Sequence, residues 1–467
     1  MKHGELKRTL GTGDLVFAHV LVIVGLNMLG PAARLGAKHW MYWLLAIALY
    51  QVPLAMVVMH LVKMLPREGG PYQWARAAFN DFTGFMVAWN MCCFVVVFGS
   101  TLGLSVAAGI GYAAGADEAW LSNPAWQIGI SALTTSAIAG LSIAGFGTSK
   151  WLHNLAAITL LGAIALLIVL PLMQGRVRVP APAGNGLSLL ELVLFTRIAV
   201  YALSGFECMS LVVEEVRGGA RSMTRSIAIA VPCIAAAYIL GTQSLLSFGA
   251  PAEIDLVNPV AQAFANAFRP YGRVAAIAAV ASILLLVGRD FAQLSQGFAA
   301  VSRLPMVAGW DDLVPAWFTR LHPRTKTPVN AILLGGAVMI AASIAAVVAA
   351  GRQEAFQMLL GTGSALFGLM YLVIFAIPLL ARLGPTPWWL RIAAGSGLAI
   401  TITFIALMFI PIVEVASRRR YGAILACAVV GVNIVGATLF ARFRNAASRT
   451  SVRGHPSAGH AADTSTP

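Results

Sequence analysis

The chain of 467 residues is 59% hydrophobic and only 11% charged, with a mean hydropathy of +0.80, a composition that excludes a soluble globular domain and makes lipid the solvent. Its formal net charge of +14 belongs, in so apolar a chain, to the rims of a membrane protein facing anionic lipid, so a nucleic-acid partner is set aside. Long unbroken apolar runs exclude a β-barrel, and the fold class expected is an all-α membrane protein.

A helix needs roughly 20 mostly apolar residues to cross a hydrocarbon core of about 30 Å. About twelve such stretches fall at 14–33, 40–63, 82–113, 125–146, 151–173, 195–216, 226–249, 273–299, 328–350, 355–381, 389–413 and 422–442. No small-residue cleavage site follows the first stretch, so it reads as a retained span and not a removed signal peptide. An even number of spans puts both termini on one side. Lys and Arg are about twice as frequent in the segments on the side of the N-terminus, which reads as both termini cytoplasmic in a plasma (inner) membrane. The run Arg418-Arg419-Arg420, placed outside by this orientation, goes against the bias. Residues 1–13 are then a cytoplasmic N-terminus and 445–467, rich in Ser, Thr, Ala, His and Pro, a disordered cytoplasmic tail. All five cysteines lie within expected spans, which suits helix packing and not a disulfide framework.

Two of the spans carry interruptions. The first contains Val24-Gly25-Leu26-Asn27-Met28-Leu29-Gly30-Pro31 and the sixth Ala202-Leu203-Ser204-Gly205-Phe206-Glu207-Cys208. Glycine, proline, Asn and Glu at mid-span cost free energy unless the irregular backbone lines a cavity, although a single glycine is also ordinary helix packing. Spans one and six head two five-span halves, and interruptions at matching positions point to a midplane binding site in inverted-repeat transporters. Freed helix N-termini suit a carboxylate and freed carbonyls suit an ammonium. The expected substrate-binding residues are therefore Val24, Gly25, Leu26 and Asn27 of span one and Ser204, Gly205, Phe206, Glu207 and Cys208 of span six.

Between spans two and three, Leu65-Pro66-Arg67-Glu68-Gly69-Gly70-Pro71-Tyr72-Gln73-Trp74 reads as a structured inner loop. Trp89 and Asn90 in span three, with Gln293 in span eight, are further lining candidates, with helix packing as the alternative. Glu207, an acid at mid-span depth, is either a gating or proton-linked group or a packed acid bonded to a neighbour. Arg289, next to Asp290 in span eight, is either a fixed cation or half of a neutralising pair with Asp290 or Glu207. Glu215 and Arg303 at the inner ends of spans six and eight could latch the inner exit.

These segments resemble the amino acid–polyamine–organocation superfamily. Its Pro-x-x-Gly-Gly-x-Tyr-x-Trp stretch is matched from Pro66 through Trp74, its Gly-Phe-Glu by Gly205-Phe206-Glu207, its Glu-Glu-x-Arg by Glu214-Glu215-Val216-Arg217, and its span-nine approach by Ser302-Arg303, Val314-Pro315 and Thr327-Pro328. The resemblance covers roughly residues 10–440 and is nearest in flavour to bacterial amino acid and polyamine permeases. It implies the leucine-transporter-type fold, a 5+5 inverted repeat with broken helices 1 and 6, formed by a ten-helix core over 14–381, with two additional spans over 389–442. It also implies transport by alternating access of an amino acid, as symport with a proton or exchange for another solute. Sodium-coupled relatives place a cation between spans one and eight, and Arg289 could substitute for it. Many members have Gly-Ser-Gly where this chain has Val24-Gly25-Leu26, which keeps a polyamine open as the alternative substrate.

No Gly-x-x-x-x-Gly-Lys-Ser/Thr phosphate cradle, Gly-x-Ser-x-Gly elbow or ligand-spaced histidine cluster occurs in the sequence, so an enzyme, a cofactor and a metal site are not expected. A membrane-embedded sensor, the rival from another class, would predict an added soluble domain, and none is visible in the sequence.

Overall fold

The computed structural model describes residues 10–66, 69–144, 150–177, 188–269, 272, 277, 280–291, 293–295, 316–325 and 327–453. Among the described residues nine helices are long and apolar enough to cross a membrane, and a tenth crossing is a bent pair, Thr12–Ile23 with Leu26–Ala33. The segments expected as spans 5 and 8 are helical over Lys150–Met173 and over 280–291 and 293–295. Among the described residues the only β-bridge is an isolated parallel one between Leu10 and Val216.

In chain order the observed spans are Gly36–Met64 (span 2), Asp81–Ala113 (span 3), Pro124–Ile143 (span 4), Leu189–Leu211 (span 6), Gly219–Leu246 (span 7), Val329–Ala349 (span 9), Arg352–Leu379 (span 10), Trp388–Leu407 (span 11) and Arg418–Arg442 (span 12). Large apolar residues such as Leu133, Ile158, Val348 and Ile392 remain exposed on their outer faces, as lipid-facing surface requires. Span 3 lies at the centre, packed against spans 4, 9, 10 and 12. Span 1 packs against spans 5 and 7. The expected inner loop folds as a short amphipathic helix, Gly70–Ala78, entered through Gly69 at φ 96°.

Span 1 bends by 48° at its break. Val24 and Gly25 there are extended, with φ −75° and −89°. Span 6 is interrupted differently. A regular turn through Arg197 widens into a π-helical turn, Ile198–Ala202, stops at Ser204 and Gly205, and resumes as the tighter 3₁₀ helix Phe206–Glu215. Gly205 has φ +128°, a conformation L side chains rarely adopt, and a Cβ there would lie 3.0 Å from Ile23 Cγ1 and 3.2 Å from Val22 Cγ1. The span-6 break therefore depends on a glycine both for its dihedral and for the close approach of span 1.

At the end where the chain enters span 1, the Arg217 N–H donates to the Leu10 carbonyl at 2.8 Å, so the starting end of span 1 and the finishing end of span 6 are tied. Gly205→Ala is expected to destabilise the folded protein by about 1–3 kcal/mol. Gly162→Ala, in a helix with open space beyond the Cβ, should be neutral or slightly stabilising. Thermal unfolding of the two purified variants in detergent checks the contrast.

Candidate functional site

A helix broken in lipid leaves N–H and C=O groups that must find partners, and here one hydroxyl supplies several. Tyr238 of span 7 accepts from the Gly25 N–H at 2.9 Å, and its proton faces the carbonyls of Ile23 at 2.8 Å and Ala202 at 3.0 Å. It thereby joins the break of span 1 to that of span 6. Its ring stacks on Trp43 of span 2 with centroids 4.5 Å apart, and the Trp43 indole donates to Thr242 Oγ1 at 3.0 Å.

The next carbonyl is met by charge. Arg289 Nη2 donates to the Val24 oxygen at 2.8 Å, while Nη1 pairs with Asp290 Oδ1 at 2.7 Å. The second oxygen of Asp290 accepts from Ser105 Oγ of span 3 at 2.8 Å. Both side chains are buried. Of the two pairings expected for Arg289, the structure shows the one with Asp290. The same arginine also docks on the opened backbone of span 1, so spans 1, 3 and 8 meet at one guanidinium–carboxylate pair.

Beside this pair lies a cavity lined by Leu26, Asn27, Thr101, Leu102, Ser105, Val257, Asn258, Leu286, Arg289, Asp290 and Phe356. Leu26 and Asn27 begin the resumed half of span 1, where the first N–H groups have no partner inside the helix. The expected cavity was between spans 1, 3, 6 and 8. The observed one takes its fourth wall from span 10 and from the segment before the helix Pro259–Phe268. Span 6 does not line it because its break is packed against span 1, with Phe206 fully buried and its ring 5.5 Å from that of His19.

Glu207 is fully buried. Cys208 Sγ lies 3.6 Å from its Oε1, and the Tyr371 hydroxyl of span 10 faces the carboxylate. Ser204 Oγ turns back to the Val200 carbonyl and shares a hydrogen bond with Tyr50 of span 2 at 3.2 Å. Tyr371 is buried, and its ring packs edge-on against Tyr50 at 6.2 Å.

The remaining expectations divide. Trp89 and Asn90 are placed against span 12 and away from the cavity lining. The Trp89 indole donates to the Val432 carbonyl at 2.9 Å and Asn90 Nδ2 to Asn433 Oδ1 at 2.9 Å. Their polar groups are used to dock a helix, the packing alternative. Gln293 is buried, with its Oε1 unpartnered among the described residues. Glu215 ends the 3₁₀ helix of span 6, but its side chain lies outside the described residues, as do Arg67, Glu68 and Arg303. Among the described residues no group of three or more His, Cys, Asp or Glu could hold a metal ion. Tyr238, Ser105 and Asn258 were not singled out from the sequence. Tyr238 had a faint signal, a hydroxyl in the middle of an apolar run, whereas Ser105 and Asn258 had none.

Interrupted first and sixth spans, among nine apolar spans and a tenth bent pair in the described residues, define the leucine-transporter fold. The crystal structure of MhsT in complex with L-phenylalanine has the same fold at a TM-score of 0.56, covering 86% of this chain and 98% of that one at 13% identity. The chain belongs to the amino acid permease family, which it matches over residues 11–433, and so to the amino acid–polyamine–organocation superfamily. It is a transporter and not an enzyme. It is 23% identical to an uncharacterised transporter of Legionella pneumophila over 80% of this chain and 82% of that one. It is 26% identical to an uncharacterised transporter of Mycobacterium tuberculosis over 72% and 74% of the two chains. The mouse cationic amino acid transporter 4 is 26% identical over 71% of this chain and 53% of its own length.

Tyr238→Phe removes the hydroxyl that serves both breaks and leaves the Gly25 N–H without it. The expected cost is about 1–3 kcal/mol, read as a fall in thermal unfolding temperature.

Proposed function

We propose that the protein is a secondary transporter that moves an amino acid across the membrane by alternating access, as proton symport or exchange. The observation that supports this reading is the cavity at the span-1 break, where the start of the helix Leu26–Ala33 and a buried Arg289–Asp290 pair line one space. The positive end of that helix and the N–H groups of Leu26 and Asn27 suit the α-carboxylate. Asp290 and the Asn27 and Asn258 side chains offer acceptors for the α-ammonium. A zwitterion matches a lining whose two charges already cancel.

A polyamine would need uncompensated acid in the cavity. The one acid that lines it, Asp290, is held by Arg289 and Ser105, which favours the amino acid. The names of several relatives, cationic amino acid transporters of mouse and of Arabidopsis thaliana, make arginine and lysine the first cationic substrates to try.

Two further assignments belong to this reading. Arg289 on the Val24 carbonyl occupies, as a fixed charge, the role that a coupling cation would have in neutralising a freed carbonyl, so transport proceeds without sodium. Glu207, buried at the span-6 break, is the acid whose proton is coupled to the opening and closing of span 6. The excess of Lys and Arg on the side of the N-terminus supports an inner-membrane location with both termini in the cytoplasm.

Uptake of labelled amino acids and polyamines into proteoliposomes, with and without a pH gradient and with sodium replaced by choline, tests the proposal. Saturable uptake of an amino acid that is stimulated by the gradient and indifferent to sodium is expected. Glu207→Gln should retain exchange of internal for external substrate while losing the stimulation. Uptake confined to polyamines, or full gradient dependence in Glu207→Gln, would overturn the assignment.

A further inference from the structure

The cavity is roofed, on the face to which span 1 leads, by a charged cluster that the transport reading does not use. Arg352, the first residue of the span-10 helix, has a side chain only 4% exposed. Its Nη1 donates to Asp255 Oδ2 at 2.8 Å, and its Nη2 reaches both oxygens of Glu118 at 3.0 and 3.1 Å. Tyr112, at the end of span 3, donates to the same Asp255 oxygen at 2.7 Å. The other Asp255 oxygen accepts from the Val257 N–H at 2.8 Å. One guanidinium thus ties together span 10, the segment before the helix Pro259–Phe268 and the short helix Glu118–Leu121.

Its position gives the cluster a consequence. The segment held through Asp255 supplies Val257 and Asn258 to the cavity, and Phe356, one helical turn beyond Arg352, supplies another part of the wall. Asn258 also docks on the side of span 3, donating to the Ser105 carbonyl at 3.1 Å. Thr101, Asn258, Arg289 and Asp290 are all buried, and on this face the cavity widens when the segment at 255–258 parts from span 10. The Arg352–Asp255 contact is the charge pair that must break.

Breaking a buried pair strands a charge at high cost unless a second partner is ready. Glu118 is that partner. Its side chain is 67% exposed and already holds Arg352, whose Nη2 alone reaches both of its oxygens while Nη1 holds Asp255. We propose that Arg352 is the latch of this face. It grips Asp255 and Glu118 when the cavity is closed and keeps Glu118 alone when Asp255 swings away, so that Asp255 stabilises the closed state and Glu118 the open one. The inference rests on the alternating-access reading for its purpose, and on the geometry alone for its direction.

The two carboxylates should therefore act with opposite sign. The probe is Thr101→Cys at the cavity wall, labelled by a membrane-impermeant maleimide from each side of the membrane in turn, in the absence of any solute. Labelling of the parent chain is subtracted because native cysteines are present. On the face of Arg352, Asp255→Asn should raise the labelling rate and Glu118→Gln should lower it. The size expected is about two- to fivefold, the population shift that a partly exposed charge pair supports. Labelling from the opposite face should move the other way or stay constant.

Should Asp255→Asn fail to fold, Glu118→Gln carries the test alone, because an exposed carboxylate can be neutralised without stranding buried charge. Unchanged labelling in Glu118→Gln, or a shift of both variants in one direction, overturns the latch. Opposite shifts in a protein that transports none of the solutes tried would uphold the latch and overturn the transport reading, which keeps the two failures apart.

Discussion

A polypeptide in lipid has no water to satisfy its backbone, so every interruption of a spanning helix must be answered by a partner from elsewhere in the fold. The site of this protein is built around that constraint. The breaks at Val24–Gly25 and Leu203–Gly205 open polar groups at the same depth, and Tyr238 answers three of them with one hydroxyl. Arg289 answers the Val24 carbonyl. The partners come from spans 7 and 8, so the irregular backbone that makes a binding site possible is also what joins the spans.

The buried arginines follow one pattern. Arg289 bridges span 8 to the break in span 1. Arg197, inside span 6, donates to the Met408 and Ile410 carbonyls at 3.0 and 2.9 Å and so holds the end of span 11. Arg352 joins span 10 to two loop elements. A planar guanidinium with five donors can serve several acceptors on different elements at once, which an ammonium on a flexible stem does less well. Each costs desolvation, and each is offset by carbonyls or carboxylates arranged about it. The result is a set of charged joints at the places where elements of an alternating-access transporter would have to slide or separate.

Small residues set the closeness of the remaining contacts. A Cβ on Gly103 would lie 2.2 Å from Ser131 Oγ, where spans 3 and 4 cross. Without a hydrophobic driving force between helices in lipid, such approach supplies the dispersion and short polar contacts that hold spans together. The site and the scaffold thus use different means: hydroxyls and guanidinium groups where the backbone is open, and glycine-lined crossings where it is regular.

The sequence alone determined the class of solvent, the approximate number of spans and the location of both breaks. These depend on local composition: an apolar run long enough to span, and Gly, Pro, Ser or Asn set inside one. It also singled out Arg289 and Glu207, because an ionisable residue at mid-span is conspicuous by its cost. What it could not assign were partners. Gly25 meets Tyr238 across 213 residues of chain, Val24 meets Arg289 across 265 and Asp255 meets Arg352 across 97. Trp89 and Asn90 looked like cavity lining because aromatic and amide side chains at mid-span serve equally well for binding and for docking a helix. Only the placement of span 12 against span 3 decided for docking. The fourth wall of the cavity, from span 10 in place of span 6, was likewise settled by how the spans cross. Periodicity and cost are local properties that a sequence displays directly, whereas the pairing of one polar group with another depends on the spatial neighbours that packing alone provides.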